Sequence, residues 1–265
     1  VIENQLVPEK DENGYWTFTT DRDLKVMQLT DIHIGGGWLS LKQDSQALNA
    51  VATMIQAEKP DLVVVTGDMA FPVFFKAGTF NNLLSAKEFA ALMERLGVYW
   101  TVAFGNHDSE IYSYYSREKV ADFYGSPEFK YCLFQKGPDD VDGYGNQIIN
   151  VKNSKGLLTQ SIYIFDSHSY TDGDYFGIMW KYDNIHDNQI EWYRDNVNLM
   201  NKQNNARLKE LGMPEDSDVK SIAFLHIPLP ELRTAWYEYM ANGFKDTEDV
   251  KYVYGKAGEG KKIIY

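Results

Sequence analysis

Asp31-Ile32-His33, Gly67-Asp68 and Gly105-Asn106-His107-Asp108 stand at nearly equal intervals in the first half of the chain. Each follows a run that reads as a buried strand: Lys25 to Thr30, Leu62 to Thr66 and Tyr99 to Phe104. A fourth candidate, His226, follows Ile222-Ala223-Phe224-Leu225 in the same way. Spacings of 37 residues from Asp31 to Asp68 and 38 from Asp68 to Asn106 each correspond to one strand-helix-strand repeat. Polar side chains at the carboxyl ends of parallel strands emerge at one edge of the sheet, where open α/β folds bind ligands.

The segments between these strands have helical periodicity. Asp44 to Glu58 places Leu48, Val51, Ala52 and Ile55 on one face, and Pro60 stops the helix. Ser85-Ala86-Lys87-Glu88 has capping-box form and predicts a helix with Phe89, Leu92, Met93 and Leu96 inward, closed by Gly97. The alternation predicts a parallel α/β unit with right-handed crossovers. Further along, Tyr131 to Gln135, Gln147 to Lys152 and Thr159 to Asp166 predict strands of a second, mixed sheet. A long helix is expected from about Asn188, with Ile190, Tyr193, Val197 and Met200 on one face. Without an internal repeat or a low-complexity linker, residues 1–265 read as one domain.

Composition narrows the function classes. The chain has 265 residues, 44% of them hydrophobic, which suffices for a large core. Its net charge of −12 argues against an extended nucleic-acid surface or an anionic-membrane surface. Cys132 is the sole cysteine, so no intrachain disulfide forms. The apolar runs are strand-sized, so no membrane-spanning segment is expected. A first residue of Val rather than Met points to processing or trimming, of a signal peptide for example.

Two Asp, one Asn and two or three His converging at one sheet edge form the donor set of a dinuclear metal site without thiolates. Asp68 can bridge two cations, with Asp31 and His33 completing one side and Asn106 and His226 the other. Two such cations would clamp a phosphoryl group and share a hydroxide that is nucleophilic near neutral pH. His107 is the natural leaving-group acid, with Asp108 beside it to orient the ring or raise its pKa. Taken singly, each motif is an ordinary turn; the joint pattern is what carries the reading.

With these residues in place the chain resembles the calcineurin-like metallophosphoesterase superfamily, whose signature runs D-x-H, G-D, G-N-H-D/E, a lone His, then G-H-x-H. The resemblance covers about residues 24 to 228. It implies a four-layer αββα sandwich of two mixed sheets flanked by helices, and phosphoester hydrolysis at two divalent metals, manganese, iron or zinc. It also implies a small phosphoester as substrate, metal ligation by Asp31, His33, Asp68, Asn106 and His226, and catalysis by His107. Phe165-Asp166-Ser167-His168 and Gln189-Ile190-Glu191-Trp192 bring the segment nearest the purple-acid-phosphatase-like branch. Where that branch has a metal-binding tyrosinate, this chain has Phe71, so ferric-tyrosinate colour is not expected.

No histidine follows His226, so the G-H-x-H segment is missing. The parent protein is therefore expected to continue past Tyr265, where Lys261 to Tyr265 reads as the start of another strand. The chain is expected to carry an incomplete, weakly loaded site and to self-associate through uncovered strand edges. Other residues carry less. His168 reads either as lining the substrate cleft or as an ordinary loop histidine, and His186 as a surface or capping residue. Asp139, Asp140 and Asp142 lack the remainder of a calcium loop. Tyr112, Tyr114 and Tyr115, with Tyr170, Tyr175, Phe176 and Trp180, form either an aromatic wall for a flat leaving group or core packing. The alternative to an enzyme is a catalytically silent relative that keeps the fold as a binding module.

Overall fold

A computed structural model describes residues 4–171, 181–215 and 218–253. The three strands that end in the quoted motifs are β3 (Val26–Leu29), β4 (Leu62–Thr66) and β5 (Tyr99–Ala103), preceded in the chain by β1 (Glu9–Lys10) and β2 (Trp16–Thr19). Strands β3, β4 and β5 pair in parallel, in that order. The crossovers between them carry α1 (Leu41–Glu58), the single turn α2 (Phe74–Ala77) and α3 (Asn82–Leu96). Lys59, in the left-handed region, and Pro60 end α1, while Gly97 at φ 70° ends α3 by donating its N–H to the Met93 carbonyl.

The cap of α3 differs from expectation. Asn81 accepts the N–H groups of Leu83 and Leu84, so the helix starts one turn before Ser85. Ser85 lies buried inside the helix with its Oγ unpaired rather than capping it.

A five-stranded mixed sheet lies beside the first, ordered β1-β2-β6-β7-β8, where β6 is Gln147–Lys152, β7 Leu158–Ile164 and β8 Ser221–Phe224. Among the described residues, three α-helices follow β5: α4 (Arg117–Tyr124), α5 (Asp187–Glu210) and α6 (Pro230–Ala241). The layering follows from which side chains alternate to which face. Val63 and Val65 of β4 pack with Val51 and Ile55 of α1 and Phe89 and Met93 of α3. Leu62 and Val64 point the other way, against Phe18 of β2, Ile149 of β6 and Ile162 and Ile164 of β7. On the far face of the second sheet, Ile148, Leu158 and Tyr163 meet Trp192 and Met200 of α5. Helix, sheet, sheet, helix is thus the order of layers. Strand β4, covered on both faces, is buried at all five positions, as a central parallel strand requires.

Two expected features change. Tyr131 to Gln135 forms no regular strand; it runs beside β5 through one bridge, Trp100 N–H to Tyr131 O at 3.0 Å and Leu133 N–H to Trp100 O at 2.8 Å. In α5 the inward stripe includes Gln189, Trp192, Asn196 and Met200, whereas Ile190 is exposed. The reason is that Gln189 spends its amide on buried groups described below. Nothing among the described helices is long and apolar enough to cross a membrane.

Because Ile149 sits fully buried between the two sheets, Ile149→Ala should cost about 2–5 kcal/mol in urea unfolding. Met54→Ala on the outer face of α1, 42% exposed, should stay within about 0.5 kcal/mol. Equal midpoints for the two variants would contradict the layer assignment.

Candidate metal centre

Beyond Leu29 the chain keeps pairing with the extension of β4: Asp31 N–H donates to Gly67 O, His33 N–H to Asp68 O and Ile34 N–H to Met69 O. Asp31, His33 and Asp68 adopt positive φ of 53°, 55° and 51°, a region that side chains other than glycine seldom occupy. Such backbone strain clusters at functional sites. Gly67 and Gly105 allow close approach. At φ 94°, a Cβ on Gly67 would meet His226 Nδ1 at 2.5 Å, and one on Gly105 would overlap the Asp68 backbone and carboxylate.

The side chains converge as the spacing predicts. Around Asp68 Oδ2 stand His226 Nε2 at 3.3 Å, His33 Nε2 at 3.5 Å and His107 Nε2 at 3.9 Å. Asp31 Oδ1 is 3.7 Å from His33 Nε2, and Asn106 Oδ1 is 3.2 Å from His226 Nε2. Donor atoms of His33, Asp68 and His107 lie within 4.8 Å of one another, as do those of Asp31, Asp68 and His226. Asp68 belongs to both sets, which suits a bridging carboxylate. The sets pair His33 with His107 and Asp31 with His226, a different grouping from the one expected. His226 Nδ1 is 2.8 Å from Thr66 O, so that nitrogen donates and Nε2 faces Asp68. A metal-binding histidine is commonly held in this way. Oxygen and imidazole donors at these spacings fit two divalent cations.

Charge is concentrated here. Burial opposes ionisation of Asp68, but hydrogen bonds from His226 and His33 prevail and hold its pKa below the usual carboxylate range. For His226, burial is outweighed by the Asp68 hydrogen bond and charge, raising the pKa to about 9. His107 is likewise raised: burial pulls down, while the Glu110 hydrogen bond and the charges of Asp68, Glu110 and Asp108 pull up.

Asp108 differs from its expected role. Its carboxylate turns inward, accepting the amides of Asp68 (2.9 Å), Ala70 (2.9 Å) and Gly105 (2.7 Å). Burial and the Asp68 charge push its pKa up to about 6, against the pull of those amides. The His107 ring is oriented instead by Glu110, whose Oε1 lies 2.7 Å from Nδ1. Tyr170 donates to the same oxygen and accepts from Asn106 Nδ2, which turns Asn106 Oδ1 toward His226. Glu110 could have been suspected from its place three residues after His107. Arg117 carried no comparable signal; it joins Asp166, Ser109, Ser169 and the Gly105 carbonyl, tying the two sheet edges together.

Asp31, His33, Asp68, Asn106, His107 and His226 line one cleft of about 490 Å³, together with Lys181 and Arg233. His168 does not line it. Its Nε2 is bonded to Gln189 Oε1, and the ring faces an adjoining pocket. Tyr112 and Tyr114 pack on Phe80 and form no wall of the metal cleft. Tyr170 stacks on Tyr182, while Tyr175, Phe176 and Trp180 lie outside the described residues, as does the stretch from Lys261 to Tyr265.

Comparison with known proteins gives the family. The model of the calcineurin-like phosphoesterase family matches residues 24–255, and the chain belongs to that family. It is 30% identical over 235 residues to "probable inactive purple acid phosphatase 14" of Arabidopsis thaliana, covering 81% of this chain and 55% of the relative. A second Arabidopsis relative, "probable inactive purple acid phosphatase 28", is 25% identical, covering 92% of this chain and 63% of its own length. "Phosphatase DCR2" of Saccharomyces cerevisiae is 30% identical over 80% of this chain and 36% of its own. The chain thus spans less than two thirds of the length of these curated relatives. Among solved structures, a dimetal phosphatase from Danio rerio superposes with a TM-score of 0.50 at 12% identity, covering 80% of this chain and 72% of that one. That likeness establishes the fold.

Replacing Asp108 by Ala would strand three buried amides at about 1–3 kcal/mol each. Urea unfolding should therefore show a loss of several kcal/mol, and Glu110→Ala, which strands no buried amide, should lose less. An unchanged midpoint for Asp108→Ala would remove its structural role.

Proposed function

We propose that this chain hydrolyses phosphoester bonds, as a phosphatase or phosphodiesterase, with two divalent cations (manganese, iron or zinc). The carrying observation is the convergence around Asp68, at the end of β4, of donors from the ends of three other strands, β3, β5 and β8. Asp31, His33, Asp68, Asn106 and His226 would hold the cations, Asp68 being the carboxylate common to both groups of donors. Bound there, divalent cations supply charge against phosphoryl oxygens and make water nucleophilic near neutral pH.

The chain's own residues do the rest. His107 Nε2 faces the cleft while Nδ1 is held by Glu110, so a proton on Nε2 is placed to pass to the leaving-group oxygen. Lys181 and Arg233 give the cleft wall positive charge in a protein of net charge −12. That favours a small phosphoester in the cleft over a polyanion along the surface.

A second reading, a silent binding module, is favoured by the names of the Arabidopsis relatives, given as probable inactive enzymes. Metal content and hydrolysis of a nitrophenyl phosphate or diester, with manganese, zinc or iron added, separate the two. Two bound metals without turnover would support the module.

In an active preparation, Asp68→Asn should lower occupancy of both cations. His107→Ala should keep the metals and lose about 10²- to 10⁴-fold in kcat with a poor leaving group, and less with nitrophenolate. Equal metal loss in both variants would make His107 a ligand instead.

A further inference from the structure

Beside the cleft, a second group of donors comes together where the turn after β7 meets the segment leading into α5. His168 follows β7, Asp183 leads toward α5, and His186 immediately precedes that helix; one ligand atom from each lies within 4.8 Å of the others. We propose that His168, His186 and Asp183 form a separate site for a single divalent transition metal, zinc by the chemistry of its donors.

The tautomers of both rings follow from their neighbours. Gln189 is fully buried, and its Nε2 donates to Asn146 Oδ1 at 2.8 Å and to Asp166 O at 2.7 Å. Its Oε1 is therefore the atom facing His168 Nε2 at 2.8 Å, so that Nε2 carries the proton and Nδ1 the lone pair. His186 Nδ1 is 2.7 Å from Asp142 Oδ2, leaving Nε2 turned to Asp183 Oδ2 at 3.0 Å. A carboxylate or carbonyl on the far nitrogen of each ligating histidine is the usual support of a metal site. Two imidazoles and one carboxylate, with a solvent position left open, suit zinc rather than calcium or magnesium.

His186 lies between the carboxylates of Asp142 and Asp183, whose hydrogen bonds and charges outweigh burial and raise its pKa. Where Nε2 carries a proton, loading would exchange it for the cation and release it to solvent. The rings now stack at 3.9 Å with planes 16° apart, and rings so nearly parallel cannot both hold one ion in plane. Binding would therefore turn the His168 ring out of the stack about its Cβ–Cγ bond, since turning His186 would break its contacts to Asp142 and Asp183. The N-terminus of α5 disfavours a cation, and Asp142, Asp183 and Asp187 supply the offsetting charge.

Such an ion would fasten the rim of the neighbouring cleft. Asp183 lines both pockets, and Lys181, Tyr182 and Asn184 beside it line the metal cleft. The proposal does not require that cleft to be catalytic.

The test is zinc stoichiometry and affinity of the full 265-residue chain by equilibrium dialysis, read as a difference between variants. His168→Ala with His186→Ala should bind one zinc fewer per chain than the parent. Asp142→Ala should weaken one zinc by about 10- to 100-fold, as loss of a supporting carboxylate does. Cobalt(II) substituted for that ion should give ligand-field absorption that Asp183→Asn alters. If the double variant does not fold by circular dichroism, Asp183→Asn and Asp142→Ala decide. Zinc number and affinity equal to the parent in the folded variants would overturn the site.

Discussion

The carboxylate of Asp108 holds the candidate metal cleft together. It accepts amides from Asp68 and Ala70 on the turn after β4 and from Gly105 on the turn after β5, locking two strand ends to one buried charge. Asp68 in turn accepts the His107 amide at 2.8 Å, so the turn that presents the bridging position also receives the next motif. From Gly105 the network passes to Arg117, whose guanidinium binds the Gly105 carbonyl and the fully buried Asp166 side chain. Asp166 accepts from the amides of Tyr144 and His168. A chain of charge-assisted hydrogen bonds thus runs from the parallel sheet to the mixed one, and these are among the stronger bonds a protein can make.

How much of this was legible in the sequence depended on the range of the signal. Strands β4 and β6 match their expected bounds because their apolar runs are bounded by turn residues and buried on both faces. The candidate ligand positions could be named from the sequence because each stands within a few residues of a strand's end. The role of Asp108 was not, since neighbouring positions in sequence suggested that it serves His107, whereas a 3₁₀ turn at His107–Ser109 points the two side chains apart. The α5 stripe was offset for a related reason. Periodicity ranks Ile190 above Gln189, yet four polar groups around Gln189 make its amide the better buried side chain.

Short or polar elements escaped as well. Strands β1 and β2 are two and four residues long, and α4 begins Arg-Glu-Lys, with little apolar pattern to read. Yet α4 supplies Arg117, the side chain on which the junction of the two sheets turns. Its partners lie 8, 12, 49 and 52 residues away, separations at which local spacing carries no information.

The position of the cleft also follows from where strain can be tolerated. Asp31, His33 and Asp68 each hold a positive φ, at a cost of order 1–3 kcal/mol apiece. Three such residues together cost an amount comparable to the whole net stability of a typical domain, about 5–15 kcal/mol. They persist only where surrounding contacts leave the backbone no cheaper path. The ends of β3 and β4 meet that condition, because the extended pairing of Asp31, His33 and Ile34 with Gly67, Asp68 and Met69 continues the sheet through the strained residues. Their side chains are thereby directed into the cleft by backbone hydrogen bonds already made, and little ordering is left for a ligand to impose.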